Sequence, residues 1–335
     1  LLTQKLGIVY TPTEVVDFII HSIEELMKSE FQSSMSAKGI NIIDPFVGTG
    51  TFITRLLQSG IFSNDVLKEK YKYEIHANEI VLLAYYIASI NIESVFYEQK
   101  EKKEYDPFKG IVLTDTFQLY EQEKDLIANL LPDNSLRRTT QKEKNISVII
   151  GNPPYSAGQS SANDNAQNMV YPNLSGRIKE SYAKYSKASS KISLYDSYIK
   201  AFRWASDRIG DNGIIGFVTN SSWIDGIATD GFRKCIQEEF QKIYVFNLRG
   251  NARTSGEIRK KEGGNIFGSG SRTPIAITIL VKNEKLHGKG IIFYNEIEDY
   301  LSREEKLLKI SHLSSFNKLL GRKNNPDLQS SSISL

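Results

Sequence analysis

Cysteine is nearly missing: Cys235 is the one thiol among 335 residues. A lone thiol cannot build an internal disulfide framework and fits a reducing compartment, so a cytoplasmic location is expected. Histidine is also scarce. Four scattered residues (His21, His76, His287 and His312) and one cysteine cannot assemble a Cys/His zinc cluster, so no metal is expected. No apolar run approaches the roughly 20 residues of a bilayer-spanning helix, and the amino terminus lacks the basic-then-apolar pattern of a signal peptide. No membrane partner is expected. The net charge of +3 is too small to indicate nucleic acid by itself, so local charge has to carry that case. Methionine does not stand first; the chain starts at Leu1, as a piece cut from something longer would.

What remains is ordinary in composition, 40% hydrophobic and 24% charged, and long enough for one large α/β domain or a domain with a smaller annex. The most informative stretch is Ile149-Ile150-Gly151-Asn152-Pro153-Pro154-Tyr155. Val148 to Ile150 is short, β-branched and apolar, as a buried strand of a parallel sheet is. Two prolines then fix their own φ and push the residues before them towards extended backbone. The result is a stiff turn at a strand's C-terminal end, where open α/β sheets hold ligands. An amide (Asn152) and a neighbouring carbonyl can accept both hydrogens of an exocyclic amine, while the Tyr155 ring can stack beneath a planar base.

Earlier in the chain, Thr11 can N-cap a helix with Pro12 at N1 and Glu14 at N3, and Val15, Val16, Ile19, Ile20, Ile23 and Leu26 give it one apolar face to about Met27. Residues 40–44 read as a strand ending in Asp44, followed by Pro45-Phe46-Val47-Gly48-Thr49-Gly50-Thr51 and a helix to about Gln58. Gly48 and Gly50 let backbone approach a ligand, and the helix start offers free N–H groups to a carboxylate or phosphate; a tight strand-to-helix turn is the plainer reading. Asp44 can take a cationic amine or an ordered water. Residues 72–77 read as the next strand, with Glu79 at its end and a helix over 80–91 burying Leu83, Ile87 and Ile90. Glu79 suits a pair of ribose hydroxyls or the dipole of the helix it precedes, and Glu74 competes for the ribose role. Residues 111–117 give a third strand; Asp115 could accept from an adenine amine and Phe117 cover a ring, or both could be turn and core residues. A short helix is expected over 124–131.

Residues 157–193 read as a long polar insertion in which Tyr171, Tyr182 and Tyr185 stand among basic residues, which suits either single-stranded or flipped nucleic acid or a solvated segment. A helix over 194–209 with Tyr198, Phe202, Ala205 and Ile209 on one face, a strand over 214–219, a mainly helical segment over 222–240 and a strand over 242–248 follow. The loop 249–273 carries Arg249, Arg253, Arg259, Lys260, Lys261 and Arg272 against Glu257 and Glu262, with glycines throughout, and is read as phosphate-contacting or, more plainly, as a solvated charged face. Strands over 274–281 and 290–294 and a Ser-rich, disordered tail past Asn324 complete the chain.

The order of these features resembles the amino-methyltransferases that act on adenine N6 in DNA, of the gamma-type motif order in which Tyr-Thr-Pro precedes the cofactor motif. The matching residues are Tyr10-Thr11-Pro12, Asp44-Pro45-Phe46-Val47-Gly48-Thr49-Gly50, Glu79, Asp115 and Asn152-Pro153-Pro154-Tyr155. Leu194-Tyr195-Asp196-Ser197-Tyr198 and Asn247-Leu248-Arg249-Gly250-Asn251-Ala252-Arg253 are similar to the methyltransferase module of large single-chain, helicase-containing restriction-modification enzymes of type I-like or type IIG-like organisation. The resemblance implies a Rossmann-like, S-adenosylmethionine-dependent fold: a mostly parallel seven-stranded sheet with helices on both faces, over residues 1–300, with 301–335 a partly disordered extension. It implies a cofactor site in which Asp44, Pro45, Phe46 and the glycine loop of Gly48 and Gly50 hold the methionine moiety, Glu79 the ribose and Asp115 the adenine amine of S-adenosylmethionine, with Phe117 beside it and the Tyr10-Thr11-Pro12 segment closing over it. It further implies that a target adenine, flipped from double-stranded DNA, stacks on Tyr155; Phe267 is the candidate for its second face, and Arg249, Arg253, Lys260 and Arg272 for the phosphates. Target-recognition, helicase and nuclease units would lie on further domains. Two other readings stand beside this one: a protein-glutamine N5 methyltransferase using the same turn, and a non-catalytic DNA-binding or specificity module that has kept the fold.

Overall fold

The computed structural model describes residues 10–99, 105–121, 130–155, 170–268 and 272–321. Its strands are β1 (Asn41–Asp44), β2 (Ile75–Glu79), β3 (Ile111–Leu113), β4 (Ile146–Gly151), β5 (Ile209–Asn220), β6 (Lys242–Arg249), β7 (Ile275–Asn283) and β8 (Ile291–Glu296). They form one sheet in the order β3-β2-β1-β4-β5-β7-β6-β8. Among the described strands β7 runs antiparallel to both neighbours, β5 and β6, and every other adjacent pair is parallel. The sheet has eight strands where seven were expected, because β8 adds a parallel edge beside β6, from Lys242↔Ile291 to Asn247↔Glu296. Strands β1 to β3 step to one side of β1 and β4 onwards to the other, so the crevice of an open α/β sheet falls outside the C-terminal ends of β1 and β4.

Successive side chains of a strand point to opposite faces, and both faces here are covered. Ile42, Val148 and Ile150 enter one apolar layer, while Ile43 and Ile149 enter the other. Helices α1 (Thr13–Phe31), α2 (Thr51–Gln58), α3 (Asn64–Glu69) and α4 (Leu82–Glu98) belong to the first half of the chain; α5 (Pro132–Glu143), α6 (Pro172–Ile178), α7 (Ser197–Arg208) and α8 (Asp230–Glu239) follow. Helices α9 (Gly256–Glu262), α10 (Arg303–Leu313) and α11 (Phe316–Gly321) complete the series. None of the described helices is long and apolar enough to cross a membrane.

Helix α1 buries Val15, Val16, Ile19, Ile20, Ile23 and Leu26 as its spacing predicts, and continues past Met27 to Phe31. The expected capping box does not form: Pro12 occupies the N-cap position without a side-chain cap, and Thr11 bonds elsewhere. The strand expected over 72–77 begins later, at Ile75, because Lys70 to Glu74 forms a wide helical turn. The buried Lys70 ammonium holds that turn by donating to the Ala37 and Ile40 carbonyls and pairing with Glu74.

Helix α4 turns a different face inward from the one expected. Ala84, Ala88, Ile92 and Phe96 are buried, whereas Leu83 and Ile90 are 51% and 61% exposed. The helix is apolar on nearly every side, so its pattern does not choose a face. Close approach does: a methyl group on Gly50 would lie 3.3 Å from Ile92 and 3.4 Å from the Ala88 backbone, so α4 meets the start of α2 through its small residues.

In the second half, residues 157–169 of the polar insertion lie outside the described residues, and 172–185 is helical, not an open loop. Glu121 accepts the free N–H groups of Asn173 and Leu174 at the start of α6. Tyr171 and Tyr182 are buried, Tyr182 against Phe232 and under the Arg203 guanidinium, so neither is a stacking platform on the surface; Tyr185 is 42% exposed. The helix expected over 124–131 falls mostly outside the described residues, and α5 begins just after it. Residues 222–240 hold two short turns before α8, so the expected helix is confined to their second half. Helices α10 and α11 share the core: the Phe316 ring lies 5.1 Å from Phe18, and its N–H donates to Ser22. The tail past Asn324 lies outside the described residues.

Candidate methyl-transfer site

The proline-locked turn leaves β4 at the crevice beside the end of β1, and it is braced from two distant segments. Asn152 Nδ2 donates to Thr11 Oγ1 at 3.0 Å, just before α1. The Tyr155 hydroxyl donates to Asn152 Oδ1 at 2.7 Å and lies 3.0 Å from the Val218 carbonyl on β5. Burial pushes the Tyr155 phenol well above its usual range, so it stays a protonated donor. Pro153 is buried and Pro154 exposed, while Asn152 and Tyr155 are half-buried. The Phe267 ring, from the glycine-rich loop after α9, stands edge-on to Tyr155 at 6.5 Å.

Around the glycine loop, Asp44 ends β1 fully buried. Its Oδ1 accepts from the Phe46 N–H at 3.0 Å, and its Oδ2 has no hydrogen-bond partner. Burial drives its pKa up to about 8, the Phe46 N–H opposes that, and the Glu79 charge adds to it. Gly48 has φ 55, and a methyl group placed on it would meet nothing within 4 Å. The Gly48 N–H donates to Glu79 Oε2 at 2.9 Å, and the Val81 N–H to Glu79 Oε1 at 2.8 Å. Burial raises the Glu79 pKa against those donors. Glu74 is elsewhere: it accepts from the Gly39 N–H and pairs with Lys70, which removes it as a competitor at this crevice.

Asp115, two residues past β3, accepts from the Phe117 N–H at 2.9 Å and from the Tyr171 hydroxyl at 2.7 Å, and burial raises its pKa. Phe117 is buried with its ring 5.5 Å from Phe46 and 5.4 Å from Tyr171. Pro45 and Pro12 are buried, and Tyr10 is 61% exposed. Sequence reading does not connect Tyr171 to this carboxylate, nor Val218 to the turn, since 56 and 63 residues separate the partners and no local spacing signals them. It also misses the brace under the loop, where Asn78 donates to Thr116 Oγ1 at 3.2 Å and Thr116 in turn donates to the Pro45 carbonyl.

The basic loop is more structured than its glycines suggest. It contains α9, and the buried Lys306 ammonium ties the residue before the loop to the end of α9 by donating to the Leu248 and Glu262 carbonyls. Arg249 takes φ 56 and pairs with Glu296 at 2.7 Å and Asp299 at 2.5 Å, so its charge is used inside the fold. Arg253, Lys260 and Arg272 remain exposed, Lys260 beside Glu257 at 3.4 Å.

Solved structures resemble the chain over nearly all its length. A nuclease-deletion mutant of the Type ISP restriction-modification enzyme LlaGI, in complex with a DNA substrate mimic, is 49% identical with a TM-score of 0.87, over 93% of this chain and 26% of that one. The ATP-dependent Type ISP restriction-modification enzyme LlaBIII bound to DNA is 45% identical with a TM-score of 0.89, over 94% and 21%. The DrdV–DNA complex is 40% identical with a TM-score of 0.85, over 92% and 30%. The chain thus spans less than a third of each of these longer chains. A comparison with curated proteins finds no match. The profile of the Eco57I restriction-modification methylase family matches residues 56–252, more than half of the chain and the part that carries Glu79, Asp115 and the Asn152 turn. The chain belongs to the Eco57I restriction-modification methylase family and shares the mostly parallel α/β fold of these similar structures.

Proposed function

We propose that this chain methylates the exocyclic N6 of an adenine flipped out of double-stranded DNA, as the modification part of a restriction-modification system. The carrying observation is the Asn152 amide, pinned at both ends at the sheet's crevice beside Tyr155. Asn152 Oδ1 and the Pro153 carbonyl accept the two hydrogens of the amine. This draws the nitrogen lone pair out of the ring and towards tetrahedral geometry, so the protein contributes mainly position and electrostatics. Tyr155 stacks on the flipped base, and Phe267 bounds the same space.

S-adenosylmethionine supplies a sulfonium-activated methyl group when bound. Two features of the chain suit it. Asp44 Oδ2 is a buried acceptor without a partner, fit for the ammonium of the methionine moiety, and the open space over Gly48 lets backbone approach the ligand. Glu79, with one lone pair of each oxygen used by backbone N–H groups, keeps others for the two ribose hydroxyls. Asp115 accepts from the cofactor's adenine amine beside Phe117, and Tyr10 and Pro12 close over the cofactor.

Arg253, Lys260 and Arg272 contact the phosphates. Further domains of a longer polypeptide, for target recognition, helicase and nuclease activity, complete the enzyme in the bacterial cytoplasm; the similar structures are DNA complexes whose chains extend well beyond the matched part. Incubation with methyl-labelled cofactor and varied duplexes tests the reading. Label on adenine N6 supports it, and label on protein or on no acceptor rejects it.

A further inference from the structure

Thr11 precedes Asn152 by 141 residues, yet its hydroxyl accepts a hydrogen bond from the Asn152 amide. The anchor is firm. Thr11 is 4% exposed and leads into Pro12, whose carbonyl accepts the Val15 and Val16 N–H groups of the first turn of α1. Val15, Val16, Ile19 and Ile20 bury the following turns completely, so the hydroxyl is attached to a fixed element. At the other end of the amide, Oδ1 receives the Tyr155 hydroxyl. The terminal torsion of an asparagine has broad, two-fold preferences and does not set its own plane. Two bonds at opposite ends do set it, and Oδ1 keeps a second lone pair for another donor.

We propose that Thr11 is a positioning residue: its hydroxyl fixes the plane of the Asn152 amide so that Oδ1, and not the NH2 group, faces the amine of the target base. This rests on the methyl-transfer reading above. Without the hydroxyl, only the Tyr155 bond holds the amide, and its plane turns more freely away from the orientation that aims Oδ1 at the amine. Loss of Thr11 therefore slows turnover without weakening cofactor binding.

The test compares Thr11→Val, which keeps the β-branched shape but has no hydroxyl, with Thr11→Ser, which keeps the hydroxyl; Thr11→Ala serves if valine disturbs the melting temperature. Methyl transfer to duplex DNA gives kcat, calorimetry gives the S-adenosylmethionine Kd, and the 15N side-chain amide signals of Asn152, assigned by their loss in Asn152→Asp, report the bond directly. Thr11→Val should lower kcat roughly 10-fold, as loss of one hydrogen bond does, with Kd within about twofold and faster solvent exchange of the amide; Thr11→Ser should recover most of the rate. Unchanged kcat and amide signals in Thr11→Val would overturn the proposal. So would a fall in cofactor affinity at unchanged kcat, which would make Thr11 a cofactor ligand. If the wild type methylates no adenine, the functional reading fails by itself, and the amide signals still decide whether Thr11 holds Asn152.

Discussion

The Gly48 N–H donates to Glu79 Oε2 at 2.9 Å, tying the glycine loop after β1 to the carboxylate that ends β2. One side chain thus shapes the loop and, on the proposed reading, receives the ribose. Glu79→Ala should weaken S-adenosylmethionine binding about 10-fold or more and lower stability by about 1–3 kcal/mol, because two backbone donors lose their acceptor. Calorimetry and thermal melts check the two effects. Unchanged affinity would move the ribose role away from Glu79.

At the turn, Asn152→Ala and Tyr155→Ala should abolish methyl transfer while cofactor binding survives. Tyr155→Phe separates the ring from the hydroxyl: the stacking surface stays, the bond to Asn152 Oδ1 is lost, and kcat should fall roughly 10-fold. Retained turnover in Asn152→Ala would remove the amine-gripping role.

Asp44 makes a pH prediction. Its carboxyl is held up at about pKa 8 by burial, so in the free protein it is protonated at neutral pH. A cationic amine beside Oδ2 favours the carboxylate, so cofactor binding releases a proton, and affinity should rise from pH 6 to about pH 8. For folding the sign is opposite. A carboxyl whose folded pKa lies above its unfolded value contributes stability that is complete below the unfolded value and is lost as pH rises through 8. Asp44→Asn should therefore melt higher than wild type at pH 9 while losing the cofactor. A flat affinity profile would remove the ammonium from Asp44.

The cations of the 249–273 segment should divide by exposure. Arg253→Ala, Lys260→Ala and Arg272→Ala should each weaken DNA binding across sequences and reduce the slope of log affinity against log salt by about one, with thermal stability kept. Arg249→Ala should instead lower the melting temperature, because Glu296 and Asp299 lose the guanidinium that bridges them. An undiminished salt slope in all three exposed variants would exclude this segment from the phosphate path.

By itself the sequence determined the features that depend on near neighbours. Val148 to Ile150 is buried on both faces and reads as an unbroken apolar run; Pro153 and Pro154 lock the turn after it; Gly48 and Gly50 mark the loop after Asp44 through backbone angles that other residues rarely adopt. The motif order already pointed to the fold because each motif is local. Only the tertiary structure decided which face of α4 is buried, since an almost wholly apolar helix leaves the choice to the small residues that meet α2. It also decided that Tyr171 and Tyr182 are core residues, that Arg249 is paired within the fold, and that β8 extends the sheet. The Asn152 turn divides in the same way. Its shape follows from its own prolines, while the hold on its amide comes from Thr11, because a hydrogen bond is set by distance in space and carries no periodicity along the chain.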